Sequence, residues 1–319
     1  MGVTNLPGGI NSPSIGSGWT AVPGKAFYVG NRTGLPSSKG KDPDHPFASV
    51  AAALPWCQDG RGDAIRILPG HVEAIDAADK WSNLAATNVL VEGWGYGNQR
   101  PIIRWSAAGA TLLMDKAGFV IRNCRLQMAG DPAATAALTV AAPLTMSAAG
   151  CGIAGCDWQV GVDADQIVTV AVTTTAAADD CFIEDNYIVG DPTAEITAAG
   201  TVIRLVGADR MKIRRNVISA ALATDTDGLI ESLTTASLDL DISDNYFNSS
   251  GSGSTCCLDF GAALACTGRL QRNLCKVDAD GTAGTVVLTL HANDNFALLD
   301  NFLVNNKSER GLVIGTASV

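Results

Sequence analysis

A short phrase recurs seven times between Val120 and Val304, and its spacing confines the chain to a stacked, repeating architecture. The copies read VIRNCRL, IAGCDWQ, IEDNYIV, IRRNVIS, ISDNYFN, LQRNLCK and LLDNFLV. Their fourth residues are Asn123, Cys156, Asn186, Asn216, Asn245, Asn273 and Asn301, separated by 33, 30, 30, 29, 28 and 28 residues. Self-similarity at a fixed period of roughly 20–50 residues is the mark of a solenoid, in which each unit buries its apolar face only by stacking on its neighbours.

Each phrase opens on an aliphatic residue: Val120, Ile153, Ile183, Ile213, Ile242, Leu270 and Leu298. Two places after the fourth residue the chain is again mostly bulky, with Trp158, Ile188, Ile218, Phe247 and Leu303, while Arg125 and Cys275 depart from the pattern. The phrase therefore reads as a strand ending in a bend. Asn suits the bend, because its short amide tolerates the left-handed backbone region. Asn side chains repeated at one corner stack about 4.8 Å apart, so that each amide can donate to the next. This Asn ladder comprises Asn123, Asn186, Asn216, Asn245, Asn273 and Asn301. A second β-rich run accompanies each phrase, for example Val202–Val206 and Val286–Leu290, and Gly, Thr and Ala stretches separate them. No long segment has the 3.6-residue period of an amphipathic helix, and Val, Ile, Thr, Asn and Gly are poor helix formers. The expected fold is all-β: a right-handed parallel β-helix of roughly nine coils, about 40 Å long at the usual strand spacing.

The residue before each fourth position adds a second pattern. From Asp185 onward its charge alternates coil by coil: Asp185, Arg215, Asp244, Arg272, Asp300. In a parallel stack, identical charges would lie one above the other, and alternation turns each repulsion into an attraction. This charge ladder fixes register, because a slip of one coil sets Asp on Asp. Arg100 lies outside it. The same alternation gives these three aspartates a structural role rather than that of catalytic carboxylates.

The amino-terminal third differs. Residues 1–25 are rich in Gly, Ser, Pro and Asn and read as a flexible arm. Residues 26–110 hold a strand, a short helix from Ser49 to Leu54 with Pro55 near its end, and further strands; residues 111–319 hold the coils. The segment Gly62-Asp63-Ala64-Ile65-Arg66-Ile67-Leu68-Pro69-Gly70 resembles the opening strand of the pectate-lyase-like right-handed β-helix superfamily, preceded as there by a strand and a small capping helix. The resemblance spans most of residues 26–319 and implies the fold far more than any activity. A helix at that place would cover the apolar end of the stack. Arg61-Gly62-Asp63 also spells an adhesion tripeptide, but its position at the start of a coil makes it a turn.

Composition narrows function. A net charge of −10 argues against nonspecific nucleic-acid binding, which needs a basic stripe. No apolar run is long enough for a membrane-spanning helix, and the first residues lack the features of a signal peptide. The nine cysteines read as reduced thiols in the core, and the scattered His45, His71 and His291 give no zinc-site spacing. No cofactor is expected. Three classes stay open. The first, which the lack of signal-peptide features, the leading arm and the Ala/Thr-rich segments favour, is a structural virion protein of a tailed bacteriophage, as some β-helices of this kind are: a homotrimeric capsid decoration (cement) protein that contacts the major capsid protein through its arm. Ala/Thr-rich segments at 133–149, 170–178, 193–201 and 219–226 would serve as subunit contacts or as plain loops. The second is a polysaccharide lyase or glycoside hydrolase, for which Asp209, Arg210, Asp225, Asp227, Asp239 and Asp241 are candidates. The third is a tail spike or fibre that binds polysaccharide without cleaving it. Tyr187, Tyr246 and Phe302 share one phase of the repeat and read as a structural aromatic row.

Overall fold

The structure is a computed structural model that describes residues 24–30, 40–130, 137–163, 165–190, 200–222, 228–232, 234–251, 256–260, 265–279, 288–290, 293–305 and 314–316. Residues 1–23, Asp225, Asp227, His291 and the parts 133–136, 193–199 and 223–226 of the Ala/Thr-rich segments lie outside these residues. The described segment Val170–Thr174 is a largely buried strand of the third sheet, neither a loop nor a free contact surface.

Most coils lay one short strand in each of three parallel sheets, and a small fourth sheet pairs Gly161–Asp163 antiparallel with Gln166–Val168 beside Leu138–Val140. The first sheet has ten strands, from Ala26–Val29 to Asn295–Leu299. The second has nine, from Val72–Ile75 to Phe302–Asn305, and the third has eight, from Leu112–Met114 to Ile314–Thr316. The chain is thus an all-β parallel solenoid, with one short α-helix near its start among the described residues. The recurring phrase proves to be strand, turn and strand, not one strand: Phe182–Glu184 belongs to the first sheet and Tyr187–Val189 to the second.

Inward positions explain why the coils stack. Ile121, Ile153, Ile183, Ile213, Ile242 and Leu270 lie in register down the first sheet, all buried. Five residues on in every coil, Leu126, Trp158, Ile188, Ile218, Phe247 and Cys275 do the same in the second. A buried aliphatic side chain is worth about 1.5–3 kcal/mol. One coil holds too few of them to be stable alone, so stability accrues by addition of neighbours.

The amino-terminal end is closed by polar anchors as well as apolar cover. The α-helix is confined to Val50–Ala53 and continues as a 3-10 turn through Leu54–Trp56, which places Pro55 near the end of the helical segment. Ser49 caps it by accepting the Ala52 N–H at 3.2 Å. Its first N–H, from Val50, is accepted at 3.0 Å by the buried carboxylate of Glu73, which also meets His71 Nε2 at 3.0 Å. Asp63 is wholly buried and accepts from the backbone N–H groups of Lys25 and Gln58 at 2.7 and 2.8 Å. Arg61 grips both its oxygens, so the Arg-Gly-Asp tripeptide is closed on itself and offers no free aspartate.

Candidate functional site

The Asn column stands at the turn between the first and second sheets. Asn186, Asn216, Asn245 and Asn273 each donate from Nδ2 to Oδ1 of the next Asn, at 3.0, 3.1, 2.9 and 3.0 Å, ending on Asn301. Each also donates to a carbonyl one coil back, as Asn245 does to Ile213 at 2.8 Å. These amides point inward and are buried down to Asn273.

Two expectations need correction. Asn123 is not in the column. Ile121 pairs with Ile153 and Leu126 with Trp158, so Cys124, not Asn123, stands above Cys156. Asn123 instead donates to the carbonyls of Gly93 and Gly95 at 2.7 and 3.2 Å. Arg125 then ceases to be an exception, because Leu126 takes the inward place. The second correction concerns backbone conformation. The left-handed residue is the one before the ladder position: Asn123, Asp185, Arg215, Asp244, Arg272 and Asp300, with φ of 53°, 58°, 53°, 59°, 49° and 52°. Left-handed arginine is unfavourable, and the Asn hydrogen bonds behind it hold the turn in that conformation. At the upper coils sulfur substitutes for amide. The Cys156 N–H reaches Asn186 Oδ1 at 2.9 Å, and burial pushes the Cys156 thiol up to about 12.

The charge ladder forms a ridge along this corner, as discrete pairs. Arg215 Nε meets Asp185 Oδ1 at 2.7 Å, and Arg272 Nε meets Asp244 Oδ1 at 2.6 Å. Hydrogen bonding to Arg272 holds the Asp244 carboxyl below the usual range. The turn before the first-sheet strand repeats the device, with Asp180, Arg210 and Asp239 left-handed and Arg210 bonded to Asp180 at 2.9 Å. Arg215→Asp should lower the thermal midpoint more than reversal of the exposed Lys41, and more so at low salt; adding Asp185→Arg should restore part of the loss. Equal effects of Arg215→Asp and the Lys41 reversal would dismiss the ladder. Arg100 would be a poor comparison, since it pairs with Asp157 at 2.7 Å.

Beside the ridge runs the outer face of the second sheet. The residue after each ladder Asn points out, placing Tyr187, Val217, Tyr246, Leu274 and Phe302 in one register column. Tyr187 is 55% exposed, Leu274 38% and Phe302 63%. Rings therefore occupy alternate coils, about 9.6 Å apart at the usual strand spacing, with an aliphatic residue between each two. They do not stack on one another: Tyr187 and Phe302 stand exposed at the two ends and Tyr246 is half-buried between them, so the expected structural aromatic row is an outward column of separate rings. The next outward column runs Gln159, Val189, Ser219, Asn248, Lys276 and Val304, so four polar groups and two valines lie parallel to the rings. Asn248 Nδ2 donates to Ser219 Oγ at 3.0 Å.

The outer face of the first sheet is polar. Lys212, Asp241 and Arg269 are register partners across three coils, on a concave surface of about 630 Å³. Asp241 Oδ2 accepts from Arg214 and from Arg269, the latter at 2.5 Å. Asp239 lies in the turn before the strand Leu240–Ser243 and not on its face. Asp209 is taken up in turns, accepting the Leu238 N–H at 2.9 Å. Among the described residues no three His, Cys, Asp or Glu side chains converge as a metal site requires, and no helix is long and apolar enough to cross a membrane.

No known protein family matches this chain, and no curated protein matches it. Among solved structures it is similar to a GH136 lacto-N-biosidase from Eubacterium ramulus. The selenomethionine form gives a TM-score of 0.35 at 10% identity, covering 88% of this chain and 67% of that one. The native form gives 0.29 at 10% identity, covering 88% and 68%. Likeness at this level assigns neither activity nor ligand.

Proposed function

We propose that this chain binds an extended polysaccharide along the outer face of its second sheet. The observation that carries this reading is the outward column in which Tyr187 and Phe302, both exposed, and the half-buried Tyr246 occupy every second coil. Aromatic rings offer flat apolar area at little entropic cost, and the apolar faces of pyranose rings stack on such area. The interval of two coils is close to the length of a β-linked disaccharide, so successive platforms meet the same face of alternate sugars. The flanking Gln159, Ser219, Asn248 and Lys276 supply the donors and acceptors that sugar hydroxyls need. Binding is assigned here, without a cleavage step.

The virion setting and the homotrimer drawn from the sequence are proposals of the same kind, resting on the leading arm and the small-residue segments. A polysaccharide-binding face would serve a virion surface protein equally. Sedimentation of the pure protein tests the trimer.

Binding is tested by affinity electrophoresis against soluble β-glucans, xylans, galactans and bacterial capsular polysaccharides. Tyr246→Ala should weaken binding about fivefold, the equivalent of roughly 1 kcal/mol for one lost platform, with an unchanged thermal midpoint. The triple variant Tyr187→Ala, Tyr246→Ala, Phe302→Ala should not bind. Retention of wild-type affinity by the triple variant, or failure of the wild type on every polymer, would remove the reading.

A further inference from the structure

The concave surface on the first sheet holds an unfinished hydrogen-bond arrangement. Asp241 is only 7% exposed, and its Oδ2 is taken by two guanidinium groups. Its Oδ1 is buried with no hydrogen-bond partner among the described residues, and so is Arg214 Nε. Both residues line the same concave surface, beside the half-exposed Arg269. A buried acceptor and a buried donor left open each cost about 1–3 kcal/mol unless something completes them.

The chemistry of the two open atoms selects what can complete both. An anion would satisfy Arg214 but meet the Asp241 carboxylate. A cation would satisfy Asp241 but meet Arg214, Arg269 and Lys212. A hydroxyl group both donates and accepts, so one hydroxyl can donate to Asp241 Oδ1 while accepting from Arg214 Nε. A second hydroxyl on the adjacent carbon can accept from the outer nitrogens of Arg269, which reaches Asp241 through Nη2 alone.

We propose that Arg214, Asp241 and Arg269 form a second saccharide subsite, which reads a pair of adjacent hydroxyls on an uncharged pyranose. It shares its ligand class with the proposed function but none of its residues. The volume of about 630 Å³ falls in the range of small-ligand sites. The ridge of Asp185, Arg215, Asp244 and Arg272 separates it from the aromatic face. One polymer strand on that face therefore does not fill it, and the subsite takes a branch sugar or a free glycoside.

The test uses the full chain and small probes: the methyl pyranosides of glucose, galactose and mannose, with their deoxy analogues. Binding is followed by isothermal titration and by the arginine Nε–H resonances. At least one glycoside should bind and shift the Arg214 Nε–H signal, and removal of one of its adjacent hydroxyls should weaken it about tenfold. Asp241→Asn should weaken the intact glycoside at least tenfold. Arg269→Ala, at a half-exposed position, should weaken it severalfold with the fold retained. Tyr246→Ala should leave glycoside binding unchanged. The subsite is overturned if no glycoside binds, if Asp241→Asn or Arg269→Ala binds as the wild type does, or if Tyr246→Ala weakens the glycosides as much as Asp241→Asn. Polymer binding that survives in Asp241→Asn leaves the aromatic face standing whatever becomes of the subsite.

Discussion

Asn245→Ala should lower the unfolding free energy by about 3 kcal/mol or more. Asn245 is in the middle of its column. Its Oδ1 accepts from both the backbone N–H and Nδ2 of Asn216, at 2.9 and 3.1 Å. Its Nδ2 donates to Asn273 at 2.9 Å and to the Ile213 carbonyl at 2.8 Å. Truncation leaves the Asn216 N–H and the Ile213 carbonyl unpaired in the interior, where an orphaned group costs about 1–3 kcal/mol. Asn301 donates to Leu270 at 2.7 Å and is only partly buried, so the same change there should cost less. Urea denaturation measures both. Hydrogen exchange should show the largest loss of protection at Asn216 and its neighbours. A cost for Asn245→Ala below that for Asn301→Ala would refute the account.

A loss of similar size is expected at the other end of the molecule, from Asp63→Ala. The carboxylate ties Arg61, the Gln58 turn and the first strand together through four hydrogen bonds. Removing one partner of a buried ion pair costs about 3–5 kcal/mol, because the other charge and the freed N–H groups lose their acceptor. The pH dependence has a definite sign. Burial alone would raise the Asp63 carboxyl; hydrogen bonds from Arg61, Gln58 and Lys25 outweigh it and hold it below the usual carboxylate range. A carboxyl lowered on folding stabilises the fold above its unfolded pKa, and that stability fades as pH falls through the folded value. Wild type should therefore lose stability below about pH 4 more steeply than Asp63→Asn. Parallel acid limbs in the two proteins would show that Asp63 is not the group responsible.

Much of this fold is legible in the sequence, because stacking repeats the same demands every coil. Ile183, Ile213 and Ile242 announce an inward column, and Asn186 through Asn301 announce the corner. Asn123 misleads because its letter matches while its register does not. The inward residues are five apart in every phrase, and Ile121 with Leu126 would have placed Cys124 at the ladder position. The third sheet is harder to read, since segments of uneven length and composition separate its strands from the phrase. The aromatic residues are visible, but their exposure is not: alternation within a three-residue strand decides it. Asp241 stands out as a carboxylate, yet its partners Arg214 and Arg269 lie a full coil away on either side. Only the register of the first sheet brings them together.

Two alternations described above keep the same beat. Asp185-Asn186-Tyr187, Asp244-Asn245-Tyr246 and Asp300-Asn301-Phe302 interleave with Arg215-Asn216-Val217 and Arg272-Asn273-Leu274. Each arginine is stapled to the aspartate of the coil before it. The interchangeable module of this rod is consequently a doublet, with its ion pair inside and one aromatic platform outside. Gain or loss of a doublet preserves both rhythms, whereas a single coil would set like charges together and break the spacing of the platforms. Between Asp185 and Phe302 the repeat therefore favours insertion or loss by pairs of coils.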